Sequence, residues 1–188
     1  DDKINILFTG RIAWEKGLLE LLHAFSEIKT ENNNLHLNIV GWEDDTKKPV
    51  ETELKILSQK LNIEACITFH GFKNIGHELN QMYRMADIYI LPSYHEGFPR
   101  TIWEAMANSL PVICTSVGSI PLELVNECDA LIIRAKSTEE IKLAINKVIS
   151  NSSLRKQLIK NGRIKAIQNT LEIQTKKLIN LLKDDRTL

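Results

Sequence analysis

Residues 4–25 read Ile4-Asn5-Ile6-Leu7-Phe8-Thr9-Gly10-Arg11-Ile12-Ala13-Trp14-Glu15-Lys16-Gly17-Leu18-Leu19-Glu20-Leu21-Leu22-His23-Ala24-Phe25. The first six residues form a strand-like apolar run. Leu18, Leu21, Leu22 and Phe25 then recur at helical spacing. Between the two lies a loop that Gly10 lets leave the strand sharply and that Gly17 ends by opening the helix. The same alternation runs on through the chain. Strand-like runs rich in Ile, Val and Leu stand at Leu35–Val40, Cys66–His70, Ile88–Leu91, Val112–Cys114 and Ala130–Ile133, as strands buried on both faces require. Amphipathic stretches follow them at Gly17–Lys29, Glu51–Leu61, Ile75–Met85, Pro99–Asn108, Ile120–Asn126 and Thr138–Ser150. Strand then helix, six times over, predicts an α/β domain with a parallel sheet and helices on both faces. Right-handed crossovers make it doubly wound and Rossmann-like. Leu154–Gln168 and Leu171–Leu182 read as two more helices, and Asn32-Asn33-Asn34 and Glu43–Pro49 as surface loops.

The 188 residues suit a single domain over 1–188, with a core over about 4–150 and carboxy-terminal helices over about 151–184. At 43% hydrophobic and 26% charged the composition excludes disordered and collagen-like chains. Lys and Arg number 24, as do Asp and Glu, so no overall field draws in nucleic acid, which is not an expected partner. Residues 151–188 nevertheless hold nine Lys and Arg against three Asp and Glu. This excess reads first as a solvated basic helix; the alternative is contact with an anionic surface, either lipid at a membrane periphery or a missing part of the protein. Cys66, Cys114 and Cys128 are odd in number and scattered, which fits neither a disulfide framework nor a zinc site and suggests a reducing cytoplasm. No apolar run reaches the length of a membrane span, and no signal peptide opens the chain. The start at Asp1, without Met, suggests that something upstream was removed. Asn151-Ser152-Ser153 matches a glycosylation sequon, which carries no meaning in a cytoplasmic chain.

In such a sheet, ligands bind beyond the carboxyl ends of the strands. After Thr9, the loop Gly10-Arg11-Ile12-Ala13-Trp14-Glu15-Lys16-Gly17 places two cations, Arg11 and Lys16, beside a helix start, which suits a diphosphate. It is neither a Gly-x-Gly-x-x-Gly fingerprint nor a Walker loop, and two loop cations are often plain surface charges. After Leu91 the sequence continues Pro92-Ser93-Tyr94-His95-Glu96-Gly97-Phe98-Pro99-Arg100-Thr101-Ile102-Trp103-Glu104-Ala105-Met106-Ala107. Pro99 suits the first helical position. Gly97 lets backbone approach a ligand closely, and the N–H groups of Phe98, Arg100 and Thr101 face whatever lies over the helix start. Arg100, Thr101, Glu104 and Asn108 share a polar stripe, with Ile102, Trp103 and Met106 off it. Glu104, one turn inside the helix, can accept two hydrogen bonds from a vicinal diol such as a ribose. The plainer alternative is a surface pair of Glu104 with Arg100.

These residues carry a resemblance. Glu96 and Glu104 stand in Glu-Gly-Phe-Pro…Glu-Ala-Met-Ala, followed by Leu110-Pro111-Val112-Ile113 and Gly118-Ser119-Ile120-Pro121. With Gly10-Arg11…Lys16-Gly17 and Gly71-Phe72…Ala86-Asp87-Ile88…Leu91-Pro92-Ser93, the pattern resembles group 1 nucleotide-sugar glycosyltransferases of the GT-B fold, from about residue 4 to about residue 150. The resemblance implies the donor-binding half of a retaining, metal-independent hexosyltransferase. Its donor is a UDP-, GDP- or ADP-sugar and its acceptor a glycan or lipid-linked intermediate at the inner membrane face, as in polysaccharide or lipopolysaccharide biosynthesis. In that frame Arg11 and Lys16 neutralise the diphosphate, Glu104 holds the ribose and Glu96 contacts the transferred sugar. Gly10 belongs to the phosphate loop. The backbone of Gly97, Phe98, Arg100 and Thr101 binds phosphate and sugar oxygens, and loops near Gly41 and Phe72 border the base. Neither a metal nor a further cofactor is implied, and the chain has no Asp-x-Asp pair. Charge on the leaving group then falls to Arg11, Lys16 and helix dipoles.

Many relatives have Gly where Ser109, Ser119 and Ala130 stand, and the family's Pro-Glu is here Pro121-Leu122-Glu123, so Glu123 need not take that glutamate's place. A GT-B enzyme has two Rossmann-like domains, and the amino-terminal, acceptor-binding one is absent, which makes the isolated domain inactive in transfer. Helix Leu171–Leu182 would normally cross back to that half, so its apolar face is expected to be exposed. His95 invites a general-base role, although acceptor-side groups of the family come mostly from the other domain; His23, His36, His70 and His77 show no metal spacing. Two rival readings share the scaffold: a non-catalytic nucleotide-sugar-binding module, and a glucan synthase or phosphorylase, for which no cofactor-bearing lysine is marked.

Overall fold

The computed structural model describes residues 3–43 and 49–184. Six strands, β1 (Ile4–Thr9), β2 (Leu35–Val40), β3 (Ile67–Phe69), β4 (Ile88–Leu91), β5 (Val112–Thr115) and β6 (Leu131–Ile133), form one sheet in the order β3-β2-β1-β4-β5-β6. Every pairing is parallel. Helices α1 (Leu18–Glu31), α2 (Val50–Lys60), α3 (His77–Arg84), α4 (Arg100–Ala107), α5 (Ile120–Glu123) and α6 (Thr138–Ser150) each follow one strand; α7 (Ser152–Gln168) and α8 (Leu171–Asp184) come after them. The expected doubly wound α/β fold is the one observed. From β1 the chain steps outward to β2, and from β4 the other way to β5, so right-handed crossovers put α1 and α4 on opposite faces. α6 packs against α1, and α7 against α4.

The core follows from the apolar pattern. β4 and β5 are buried along their whole length, as are Ile6, Leu7 and Phe8 of β1. α1 turns Leu18, Leu21, Leu22, Phe25 and Ile28 inward, each contributing about 1.5–3 kcal/mol by leaving water. Asn151, the first residue of the sequon, caps α7: its Oδ1 accepts from the Leu154 N–H at 2.9 Å. All three cysteines are free, and burial pushes the Cys114 thiol up to about 12.

Several boundaries differ from expectation, each for a local reason. Glu64–Cys66 form a turn of 3-10 helix, which shortens the strand expected over Cys66–His70. α3 begins only at His77 because Gly76 has φ 111. The helix expected over Ile120–Asn126 stops at Glu123, since Leu124 is extended at φ −119, ψ 143. Pro99 is not the first helical residue: its ψ of 119 is extended, so it stands before α4 as the cap residue. The loop expected over Glu43–Pro49 falls largely on residues 44–48, outside the described residues.

Nor are the strands apolar on both faces. Register places Asn5, His36, Asn38, Thr68 and His70 on one face of the β1–β2–β3 edge. His36 Nε2 bonds Thr68 Oγ1 at 2.8 Å, His70 Nε2 donates to Asn38 Oδ1 at 2.8 Å, and Asn38 Nδ2 donates to Asn5 Oδ1 at 3.4 Å. These polar groups satisfy one another, so the half-buried face carries little of the cost of unpaired dipoles. On α8, Leu171 is 80% exposed, and Leu178, Leu181 and Leu182 are also open to solvent, as expected. Among the described residues no helix is long and apolar enough to cross a membrane.

Candidate functional site

Strand order reverses between β1 and β4, and there the carboxyl ends of the strands leave a crevice. The crevice is a cavity of about 300 Å³. Thr9, Gly10 and Lys16 reach it from β1 and its loop, Val40, Gly41 and Trp42 from β2, and Phe72, Lys73 and Ile75 from the segment after β3. From the β4 side come Glu96, Pro99, Arg100, Thr101 and Glu104.

The two main loops are tied together across the crevice. The Tyr94 N–H donates to Glu15 O at 2.7 Å, and Lys16 Nζ donates to Glu96 Oε1 at 2.6 Å. Both charged side chains of that pair are mostly withdrawn from water, at 16% and 11% exposure, where a charge-assisted bond is stronger than at the surface. Tyr94 is held further by its hydroxyl, which donates to the Glu20 carboxylate at 2.5 and 2.6 Å, and by Lys136 stacked over its ring.

Glycines permit the close approaches around the crevice: where the β1 and β4 loops meet, a Cβ on Gly17 would lie 2.1 Å from Pro92 O. A Cβ on Gly41 would lie 1.7 Å from Gly10 O, so the loops after β1 and β2 can meet only with hydrogen there. A Cβ on Gly118 would lie 2.0 Å from Glu96 O, and its φ of +57 is itself one that side chains avoid. Beside it, the Ser119 N–H and hydroxyl both donate to Gly97 O at 3.0 Å, so the turn between β5 and α5 braces the Glu96–Gly97 loop. Phe98 stacks on Trp103 with centroids 4.5 Å apart, which fixes the loop's far end to α4.

At the start of α4, Pro99 has no N–H and no side chain caps the helix. The first-turn amides of Arg100 and Thr101 have no intrahelical partner, which leaves partial positive charge at the cavity wall. Thr101 Oγ1 is buried without a hydrogen bond of normal geometry, although it lies near enough to Tyr89 to favour that residue's ionised form. Glu104 does not pair with Arg100; its Oε2 accepts from the Tyr83 hydroxyl at 2.8 Å.

Of the residues expected from the sequence, the structure brings Gly10, Lys16, Glu96, Arg100, Thr101 and Glu104 into one cavity. Arg11, Gly97 and Phe98 are not among its lining. Arg11 is exposed and pairs with Glu15, four residues on. Gly97 borders open space, since a Cβ there would meet nothing within 4 Å. His95 is exposed. Sequence reasoning missed Lys73 and Tyr83, and it named the loop near Gly41 without Trp42, which meets Phe72 edge to face with centroids 5.5 Å apart. Exposed aromatics directly after two neighbouring strands were the available signal.

Comparison with known proteins bears on what this cavity serves. Over 163 residues the chain is 31% identical to an uncharacterized glycosyltransferase, MJ1607, of Methanocaldococcus jannaschii, covering 87% of this chain and 40% of that protein. It is 28% identical over 174 residues to the capsular polysaccharide biosynthesis glycosyltransferase CapM of Staphylococcus aureus, covering 93% and 44% respectively. The chain thus spans less than half the length of these curated relatives. Anabaena Alr3699/HepE, solved in complex with UDP, superposes with a TM-score of 0.86 at 19% identity, over 97% of this chain and 49% of that one, a likeness of fold. Residues 1–165 match the family described as glycosyl transferases group 1, and the chain belongs to that family.

Proposed function

We propose that this chain is the donor-binding half of a retaining glycosyltransferase that takes a nucleotide-diphosphate sugar without a divalent ion. The observation that carries the reading is the convergence of Lys16, Glu96, Glu104 and the free amides of α4 on one crevice. The chemistry of each group suits one part of such a donor. Lys16 and the start of α4 offset diphosphate charge, and that charge grows as the bond to the sugar breaks. Arg11 joins them by leaving Glu15, a surface pair worth at most about 1 kcal/mol. Glu104 accepts from the ribose diol, Trp42 and Phe72 flank the base, and Glu96 contacts the sugar. The similarly folded HepE is solved in complex with UDP, which supports a nucleotide as the ligand class.

Two features support a second half elsewhere in the protein. The relatives are more than twice as long as the matched region, and the apolar residues of α8 lie exposed. Acceptor choice then belongs to that half, with a glycan or lipid-linked acceptor and a cytoplasmic, membrane-peripheral setting.

Calorimetric titration with UDP, GDP and ADP in EDTA tests the reading. Saturable binding of at least one nucleotide is expected. Binding that appears only with magnesium or manganese would overturn the metal-free assignment, and no binding under either condition would overturn the site itself.

A further inference from the structure

A file of hydroxyls runs beneath the cavity from the sheet to Glu104. Tyr83 on α3, Tyr89 on β4 and Thr9 at the end of β1 are 1%, 0% and 3% exposed. The Tyr83 hydroxyl lies 2.8 Å from Glu104 Oε2 and 2.9 Å from Thr9 Oγ1, which in turn lies 3.2 Å from the Tyr89 hydroxyl. An ionised carboxylate only accepts, so the Tyr83 proton points at Glu104. The Tyr83 oxygen then accepts from Thr9, and Thr9 Oγ1 is left to accept from Tyr89, whose other acceptor, Thr9 O, is farther at 3.4 Å. Each hydroxyl has one proton, so the direction of the whole file is set from its anionic end. Burial, the largest cause, raises the pKa of both phenols and keeps them as donors across the working range.

We propose that Tyr83 is a positioning residue that clamps Oε2 of Glu104 and so presents Oε1 to the vicinal diol of the donor's ribose. The inference rests on the reading of Glu104 as the ribose ligand. Oε1 has no partner among the described residues, and Glu104 lines the cavity. A glutamate has three rotatable side-chain bonds, and freezing them in advance removes an ordering cost from ligand binding. The clamp acts from another element: Tyr83 stands on α3 and Glu104 on α4, 21 positions apart. Bonds within the file polarise one another, so Thr9 strengthens the donor that reaches the carboxylate.

The test uses Tyr83→Phe, which keeps the ring and removes the hydroxyl. Wild type and variant are titrated with UDP and GDP, with the 2′,3′-dideoxy forms of each, and with inorganic pyrophosphate; thermal melts are run alongside. Affinity for the nucleotide that wild type binds is expected to fall about 3–10-fold, less than the roughly 10–150-fold of losing a hydrogen bond to a charged group directly, because Tyr83 acts through Glu104. The dideoxy form and pyrophosphate, which present no diol, should change less than twofold. Thr9→Val keeps the Tyr83–Glu104 bond and should give a smaller loss with the same dependence on the diol, which tests the file even if Tyr83→Phe folds poorly. Equal losses on all probes mean a general disturbance and overturn the proposal, as does no loss on any. Wild type that binds no ribonucleotide overturns both this proposal and the donor-site reading; wild type that binds while Tyr83→Phe binds equally well overturns the positioning role alone.

Discussion

Glu96 and Glu104 line the same cavity, yet their partners set them apart. Glu96 is tied to the ammonium of Lys16, the group proposed to meet the donor diphosphate, whereas Glu104 is tied to a neutral phenol. Glu104→Gln keeps the shape of the side chain and, in the proposed donor complex, would replace a charge-assisted bond to the ribose by a neutral one. Binding of the nucleoside diphosphate should weaken by about 1–3 kcal/mol. Glu96→Gln releases Lys16 from its ion pair, so affinity for the bare nucleotide should hold or rise slightly, and the loss should fall on the nucleotide sugar. Titration of both variants with UDP or GDP, each with and without its sugar, checks this. Equal losses on the bare nucleotide would refute the division of labour.

α4 owes its position to the way it ends. The Leu110 N–H reaches back to Ala105 O at 3.1 Å and the Ser109 N–H to Met106 O at 3.0 Å, a Schellman closure that puts Ser109 at φ 63. A side chain in that conformation costs about 1–2 kcal/mol, part of which a glycine returns through its looser unfolded chain. Ser109→Gly should therefore raise stability by about 0.5–1 kcal/mol, read as a higher urea midpoint at unchanged slope. A lower midpoint would show that the serine makes contacts worth more than the strain. Elements of this size were largely legible in advance: β1, β2 and β4 begin and end where expected, because a glycine, proline or polar residue punctuates their apolar runs. Legibility failed where conformation overrides pattern, as at Pro99, whose φ of −76 suits a cap residue as well as a first helical one. In the site, the loops were readable because parallel strands deliver their carboxyl ends to one edge. The outward turn of Arg11 was not, since a glutamate four residues away competes for it, and the contact of Tyr83 with Glu104 exists only through the packing of α3 beside α4.

At the scale of the molecule, the polar β1–β2–β3 edge gives stability a pH dependence. Burial, more than any charge, lowers the pKa of His36 and His70 below the usual 6.5; Lys3 and Lys29 add to the shift at His36, and Lys73 and His36 itself at His70. A histidine held neutral in the fold but free to charge when unfolded lets the unfolded chain take up more protons on acidification. Its contribution is complete above pH 6.5 and is lost as pH falls from there toward the depressed folded value. Melting temperature should fall between pH 7 and 5, and His36→Gln with His70→Gln should flatten that slope; an unaltered slope would place the dependence elsewhere. The parallel sheet has a consequence in time as well. Lys16 and Glu96 lie 80 positions apart, and at about 5–20 residues per second a ribosome takes about 4–16 s to travel from one to the other. For most of that interval β1 and β2 both exist to pair, while the lysine waits for its carboxylate. The nascent chain can thus begin to pair strands before the far wall of the cavity has been made.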